Sequence, residues 1–274
     1  MVIILRDSNR ALFIYMEKNL LFFSKIFLLQ LKQNILIIKM NSITKNKKNI
    51  PKTDKTLVLD LDHTLICTYE DNMNGKNLEI YNNKDLYDNF LCDDCPYKSY
   101  GIVEGNIVLW GVKRPNLLFF LDFIHKYFEN IIVWSAGKKR YVEKICMLIF
   151  KENSYPCPKI IWSRDNCEEI FLDRKYLIKP LSKMVEYTNR VNSPVELDLS
   201  KMLILDDTEI TFYDNVQNGI LIPKYIPSYN KDPHDILRNK DDYLLKFCDW
   251  CLLNDVVNSV DVRSLNKRNV FSSR

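Results

Sequence analysis

The sequence predicts an α/β fold: a three-layer, Rossmann-like sandwich around a central parallel sheet, with a small β insertion after the first strand. Three observations carry this reading. Short, nearly continuous apolar runs recur at 56–61 (TLVLDL), 130–135 (NIIVWS), 159–163 (KIIWS) and 202–207 (MLILDD), the pattern of strands buried on both faces of a parallel sheet. Helical patterns lie between them, as crossover connections require. Residues 66–112 break the alternation with a polar stretch and then a hairpin pattern.

Residues 1–39 are rich in Leu, Ile and Phe, with only Asp7 and Glu17 as acids. The apolar stretch at 20–31 is interrupted by Lys25, so no run reaches the ~18 uncharged residues of a membrane span. An amphipathic surface helix, a targeting segment, or gene-model excess upstream of a start at Met40 are the alternatives. Residues 41–55 are polar and lysine-rich with Pro51, which reads as a linker. The expected organisation is therefore an N-terminal apolar segment and linker at 1–53, a domain at 54–256 and a flexible basic tail at 257–274.

Within the domain, Pro115 marks a helix start, since proline at the first helical position needs no amide partner. Leu118, Leu121, Phe123, Ile124 and Phe128 give that helix a broad buried face. A second helix is expected over 138–150. In the insertion, 100–112 (YGIVEGNIVLWGV) reads as a hairpin turning near Glu104-Gly105-Asn106. After Asp207 a strand-loop region leads to a helix of roughly residues 233–256.

Composition narrows the function classes. A hydrophobic share of 47% supports a buried core and excludes a disordered chain. A net charge of +4 with 27% charged residues is too mild to argue for nucleic-acid binding, and none is expected. Only 6 glycines are present, and no glycine-rich phosphate loop. The 8 cysteines are scattered, as in an intracellular protein of a reducing compartment. Cys67 and Cys146 lie in apolar runs and read as small buried hydrophobes. The pairs Cys92/Cys95 and Cys248/Cys251 lie far outside the roughly 15–20-residue separation of a zinc ribbon. Cys248/Cys251 fits one face of a core helix instead.

The chemistry is concentrated at strand ends. Asp60 and Asp62 in DLDHTL share one side of an extended chain, at the carboxyl edge of the first strand where open α/β sheets bind ligands. Two such carboxylates repel, and a hard divalent cation, Mg²⁺, is the natural remedy. Ser135, Lys179 and the pair Asp206-Asp207 follow other short apolar segments. Each has a plain alternative: a helix cap, a surface charge, a turn. Their joint occurrence favours a site.

These residues resemble the haloacid dehalogenase superfamily, whose motifs are D-x-D, Ser/Thr, Lys and an acidic pair. More narrowly they resemble the C-terminal-domain phosphatases of RNA polymerase II, through DLDHTLICT at 60–68, KRP at 113–115, VWSAGKKRYVEKI at 133–145, IWSRDNC at 161–167, YLIKPLSKM at 176–184 and LILDDTEITFYDN at 203–215. The resemblance covers about residues 54–253. It implies a protein serine/threonine phosphatase with Asp60 as nucleophile, Asp62 as general acid and base, and Ser135 and Lys179 holding phosphoryl oxygens. Mg²⁺ would lie on Asp60, Asp207 and the Asp62 carbonyl, with Asp206 in support. Arg164 matches a substrate or phosphate contact, or is a surface arginine. Two departures stand out: Ser135 where close relatives often carry Thr, and Asp207 where the small phosphatases carry Asn. The insertion is longer and more polar than theirs, which leaves peptide specificity open.

A phosphoprotein partner follows from the resemblance, the polymerase tail among the candidates, acted on by a monomer in the nucleus or cytoplasm. Membrane or mitochondrial association would rest on residues 1–39 alone. The alternatives are a receptor without turnover, like the mitochondrial translocase subunit of this family, or a phosphatase for small molecules or nucleic-acid ends. The complete catalytic set favours the enzyme.

Overall fold

The computed structural model describes residues 50–72, 99–104, 107–151, 153–227 and 241–272. Apart from Ile50, these belong to the compact unit Pro51–Arg274. In chain order, β1 (Thr56–Leu59) leads into a three-stranded antiparallel sheet of β2 (Ile66–Asn72), β3 (Ser99–Glu104) and β4 (Ile107–Lys113). Next come α1 (Leu117–Tyr127), β5 (Asn130–Trp134) and α2 (Lys139–Cys146), which continues as a π-helical turn, then β6 (Ile160–Trp162). The hairpin β7 (Glu168–Phe171) and β8 (Lys175–Ile178) precedes α3 (Leu181–Arg190) and β9 (Met202–Asp206). A 3₁₀ segment, Glu209–Asn218, leads to β10 (Gly219–Leu221), and α4 (Tyr243–Cys251) and α5 (Asn254–Val257) follow.

Five strands form the central sheet in the order β10-β9-β1-β5-β6, each pairing parallel with its neighbours. Every residue of β1, β5 and β9 is buried. Alternating side chains point to opposite faces, so the sheet is covered on both sides and the three-layer α/β expectation is met. On one face Val58, Ile132, Trp134 and Ile204 pack with Leu181 and Met184 of α3, and Trp134 meets Trp162 edge-on at 4.7 Å. Elsewhere α1 and α4 meet through Phe120 and Phe247, whose ring centroids are 5.8 Å apart. Cys67 and Cys146 are buried as small apolar groups, and Cys248 and Cys251 are buried on α4.

The insertion opens on a strand: residues 66–72 form β2, because β4 offers a full row of partners from Ile66↔Lys113 to Asn72↔Ile107. One expectation needs correction. The tail does not fray across its length, since Val262 and Val270 are buried and Asp261 accepts from the Arg263 amide at 2.9 Å. Two valines in a polar stretch suffice as apolar anchors. Lys179 directly follows a strand, as expected, and that strand is β8 of the separate two-stranded hairpin. The reading of residues 1–39, the turn at Gly105-Asn106, the Cys92/Cys95 pair and the first part of the helix expected from residue 233 lie outside the described residues. Among the described residues no helix is long and apolar enough to cross a membrane.

Gly219 opens β10 where a Cβ would fall 2.4 Å from the ring of buried Phe212. A Gly219→Ala variant should therefore lose roughly 1–3 kcal/mol, the usual cost of overpacking a core. Urea denaturation of the purified variant against the parent reads that loss directly.

Candidate active site

Parallel pairing carries three polar residues to one edge. The amide of Asp60 donates to Leu205 O at 3.0 Å and that of Ser135 to Trp162 O at 3.0 Å, so both extend the ladders of β1 and β5 by one residue. Asp206 is the last residue of β9. Because β9, β1 and β5 are adjacent, their ends converge at the carboxyl edge of the sheet. Lys179 enters from the β7–β8 hairpin, its amide tied to Thr211 O.

The Lys179 ammonium lies 2.6 Å from Asp60 Oδ1 and 2.6 Å from Asp206 Oδ2. Lys179 and Asp206 are each 1% exposed, Asp60 6% and Asp207 8%. Burial works against the Lys179 ammonium, but Asp206 and Asp60 outweigh it and hold its pKa above the ordinary lysine range. Burial also pushes the Asp60 carboxyl well above the usual carboxylate range, against the pull of Lys179 and with Asp206 adding to the rise. One buried ammonium here faces three buried carboxylates.

Oxygens of Asp60, Asp206 and Asp207 all lie within 4.8 Å of one another. Hard carboxylate oxygens at that spacing, with surplus negative charge, fit a divalent cation. The three acids are not equivalent. Asp206 has both oxygens engaged, one by Lys179 and the other by the Thr208 amide at 2.9 Å. Asp207 is steered by hydroxyls, Thr208 Oγ1 at 3.1 Å and Thr64 Oγ1 at 3.5 Å, and has Lys224 at 3.4 Å.

An open cleft of about 340 Å³ joins these groups. Asp60, Asp62, Ser135, Arg164, Lys179, Asp206 and Asp207 all line it, so the structure brings together every residue singled out from the sequence. Ser135 Oγ accepts from the Gly137 amide at 3.0 Å. Arg164 is placed by its Nε donating to Ala136 O at 2.9 Å. Asp62 is half-buried and accepts from the Tyr141 hydroxyl at 2.5 Å. Lys224, Thr64, Thr208 and Tyr141 went unassigned at the level of sequence. Thr64 and Thr208 had a local signal, hydroxyls within four residues of a strand-end acid; Lys224 and Tyr141 had none.

The loop after β1 is held from outside the sheet. His63 adopts a left-handed φ of 59°, a conformation non-glycine residues keep only when their surroundings enforce it. Its amide donates to Ile66 O at 2.6 Å and its carbonyl accepts from the Tyr225 amide at 2.8 Å. Buried Arg114 donates to Thr64 O at 2.8 Å and His63 O at 3.4 Å, and grips Asp241 with Nε at 3.0 Å and an Nη at 2.9 Å. Its guanidinium lies over the rings of Tyr225 and Tyr243, at 5.6 and 5.5 Å.

Removing the central cation charge should be costly. In metal-free buffer at neutral pH, Lys179→Met should lose roughly 3–5 kcal/mol, the cost of stranding buried charge. The deficit should shrink as pH falls toward 3.8, the ordinary aspartate value. The reason is that folded Asp60, its carboxyl raised by burial, then binds more protons than in the unfolded chain, so stability falls as pH rises. Urea unfolding at several pH values checks both statements.

Comparison with known proteins gives the chain's family. Residues 55–251 match the sequence model of the family described as NLI interacting factor-like phosphatase. The chain is 26% identical over 238 residues to CTD nuclear envelope phosphatase 1B of Danio rerio, covering 87% of this chain and 81% of that protein. It is 26% identical over 204 residues to CTD small phosphatase-like protein 3 of Caenorhabditis elegans, covering 68% of this chain and 58% of that protein. Among solved structures it is similar to Fcp1, an essential RNA polymerase II CTD phosphatase, at 17% identity and a TM-score of 0.46, over 78% of this chain and 53% of that one. It therefore spans only somewhat more than half the length of the last two. With its motifs at the sheet edge and its family match across most of its length, the chain belongs to the NLI interacting factor-like phosphatases, of the haloacid dehalogenase type.

Proposed function

We propose that the chain is a Mg²⁺-dependent protein serine/threonine phosphatase working through an aspartyl-phosphate on Asp60. The observation that carries this is the arrangement of Lys179 2.6 Å from Asp60, with Asp206 and Asp207 oxygens within 4.8 Å of that same carboxylate, at the floor of an open cleft. Asp60 and Asp207 would hold Mg²⁺ with the Asp62 carbonyl, and Asp206 would support from the Lys179 side. When bound, the cation offsets negative charge and polarises a phosphoryl oxygen.

The chain's own residues account for the remaining chemistry. Lys179, Ser135 and Arg164 receive the phosphoryl oxygens, which lets the Asp60 carboxylate approach an anionic ester in line. An Asp60 oxygen bonds to phosphorus while the bond from phosphorus to the seryl or threonyl oxygen breaks. Asp62 gives its proton to that departing oxygen. Asp62, now a carboxylate, takes a proton from water; the water oxygen bonds to phosphorus, the bond to Asp60 breaks, and orthophosphate leaves. Both carboxyl groups return to their starting states.

An extended phosphopeptide suits the open cleft. The relatives' names point to phosphorylated polymerase tails as the first substrates to try. We place the enzyme inside the cell, in keeping with its 8 cysteines scattered along the sequence.

The test is phosphate release by the full chain across a phosphoserine and phosphothreonine peptide panel. Chelation of Mg²⁺ should abolish release and its return restore it. Asp60→Asn should be inactive, whereas Asp62→Asn should fold normally and slow turnover by ~10²–10⁴-fold. Full activity of Asp60→Asn would remove the covalent route. Peptide binding without any release by the parent chain would instead mark a receptor.

A further inference from the structure

A hydrogen-bond relay runs from the insertion sheet to the acid, and it involves a residue that none of the chemistry above uses. Tyr141, in the first turn of α2, donates its hydroxyl to Asp62 Oδ1 at 2.5 Å. The same hydroxyl lies 2.6 Å from Thr68 Oγ1 on β2. A phenol carries one proton, and here it goes to Asp62; the Thr68 hydroxyl therefore donates to the Tyr141 oxygen. The relay reads Thr68 → Tyr141 → Asp62.

The surroundings keep the Tyr141 ring where the relay needs it. A Cβ on Gly137 would fall 2.8 Å from Tyr141 Cδ1 and 3.2 Å from Cε1, so the glycine after Ala136 leaves room for the ring to reach the cleft. Thr68 is fixed by strand pairing, opposite Gly111 of β4. Asp62, by contrast, sits on the loop beyond β1 and is only half-buried. An acid so placed has many rotamers open to it unless a partner selects one.

We propose that Tyr141 is a positioning residue for Asp62, and that through Thr68 the insertion sheet helps to aim the acid at the leaving oxygen. The inference rests on the proposed acid role of Asp62. It makes the insertion part of the catalytic support.

Leaving-group dependence separates this role from a merely structural one. A seryl oxygen leaves as a strong base and needs the proton, whereas nitrophenolate leaves readily without it. For Tyr141→Phe, kcat/KM on a phosphoserine peptide should fall roughly 10-fold or more, part of the ~10²–10⁴-fold a general acid supplies, while p-nitrophenyl phosphate should change less than about 3-fold. Asp62→Asn should show the same preference more strongly, and the double variant should be no slower than Asp62→Asn alone, as expected of groups acting as one unit. Thr68→Val should fall in the same direction by less. Thermal melts of each variant accompany the kinetics, since the ring and its packing against Gly137 are kept in Tyr141→Phe.

Equal losses on both substrates, no loss on the phosphopeptide, or losses that multiply in the double variant would overturn the positioning role. If Asp62→Asn discriminates between the substrates and Tyr141→Phe does not, the positioning role alone fails. If Asp62→Asn itself fails to discriminate, the acid assignment falls and this inference with it.

Discussion

The ammonium of Lys179 stands between two buried carboxylates, 2.6 Å from each, and the rest of the cleft is organised around that contact. Two like charges cannot share a dry pocket without a counter-charge. The lysine supplies one, and its backbone is anchored to Thr211 of the 3₁₀ segment and followed at once by α3. A third carboxylate, Asp207, joins the pair within 4.8 Å, which leaves the pocket short of positive charge. The same imbalance that would destabilise an ordinary core fits this one to a divalent cation.

Two supports converge on the acidic loop from opposite sides. Arg114 satisfies its donors on Asp241 and on the carbonyls of His63, Thr64 and Pro223, so a fully buried guanidinium holds the loop by its backbone. Tyr141 holds the Asp62 side chain, with Thr68 behind it. The first support uses the residue after β4, the 220s and the segment before α4; the second uses β2 of the insertion and α2. The left-handed His63 persists at the centre of this bracing.

Much of the fold was legible because its signals are local. Apolar runs such as TLVL and MLILD mark strands buried on both faces, and the helices between them follow their own period. The insertion was read only in part: 100–112 has hairpin patterning, whereas the strand ICTYEDN of β2 becomes evident only once β4 pairs with it. The tail failed for a related reason. Its composition is polar, and only the packing of Val262 and Val270 reveals that it is held.

The site divides along the same line. Sequence alone determined that acids and a hydroxyl follow the apolar runs that become β1, β5 and β9, since those runs are read locally. Tertiary structure decided what those groups face. Lys179 arrives from a separate hairpin 119 residues after Asp60, and Tyr141 reaches Asp62 across 79 residues. Such contacts depend on how crossovers stack the layers, a long-range packing outcome that no local pattern encodes.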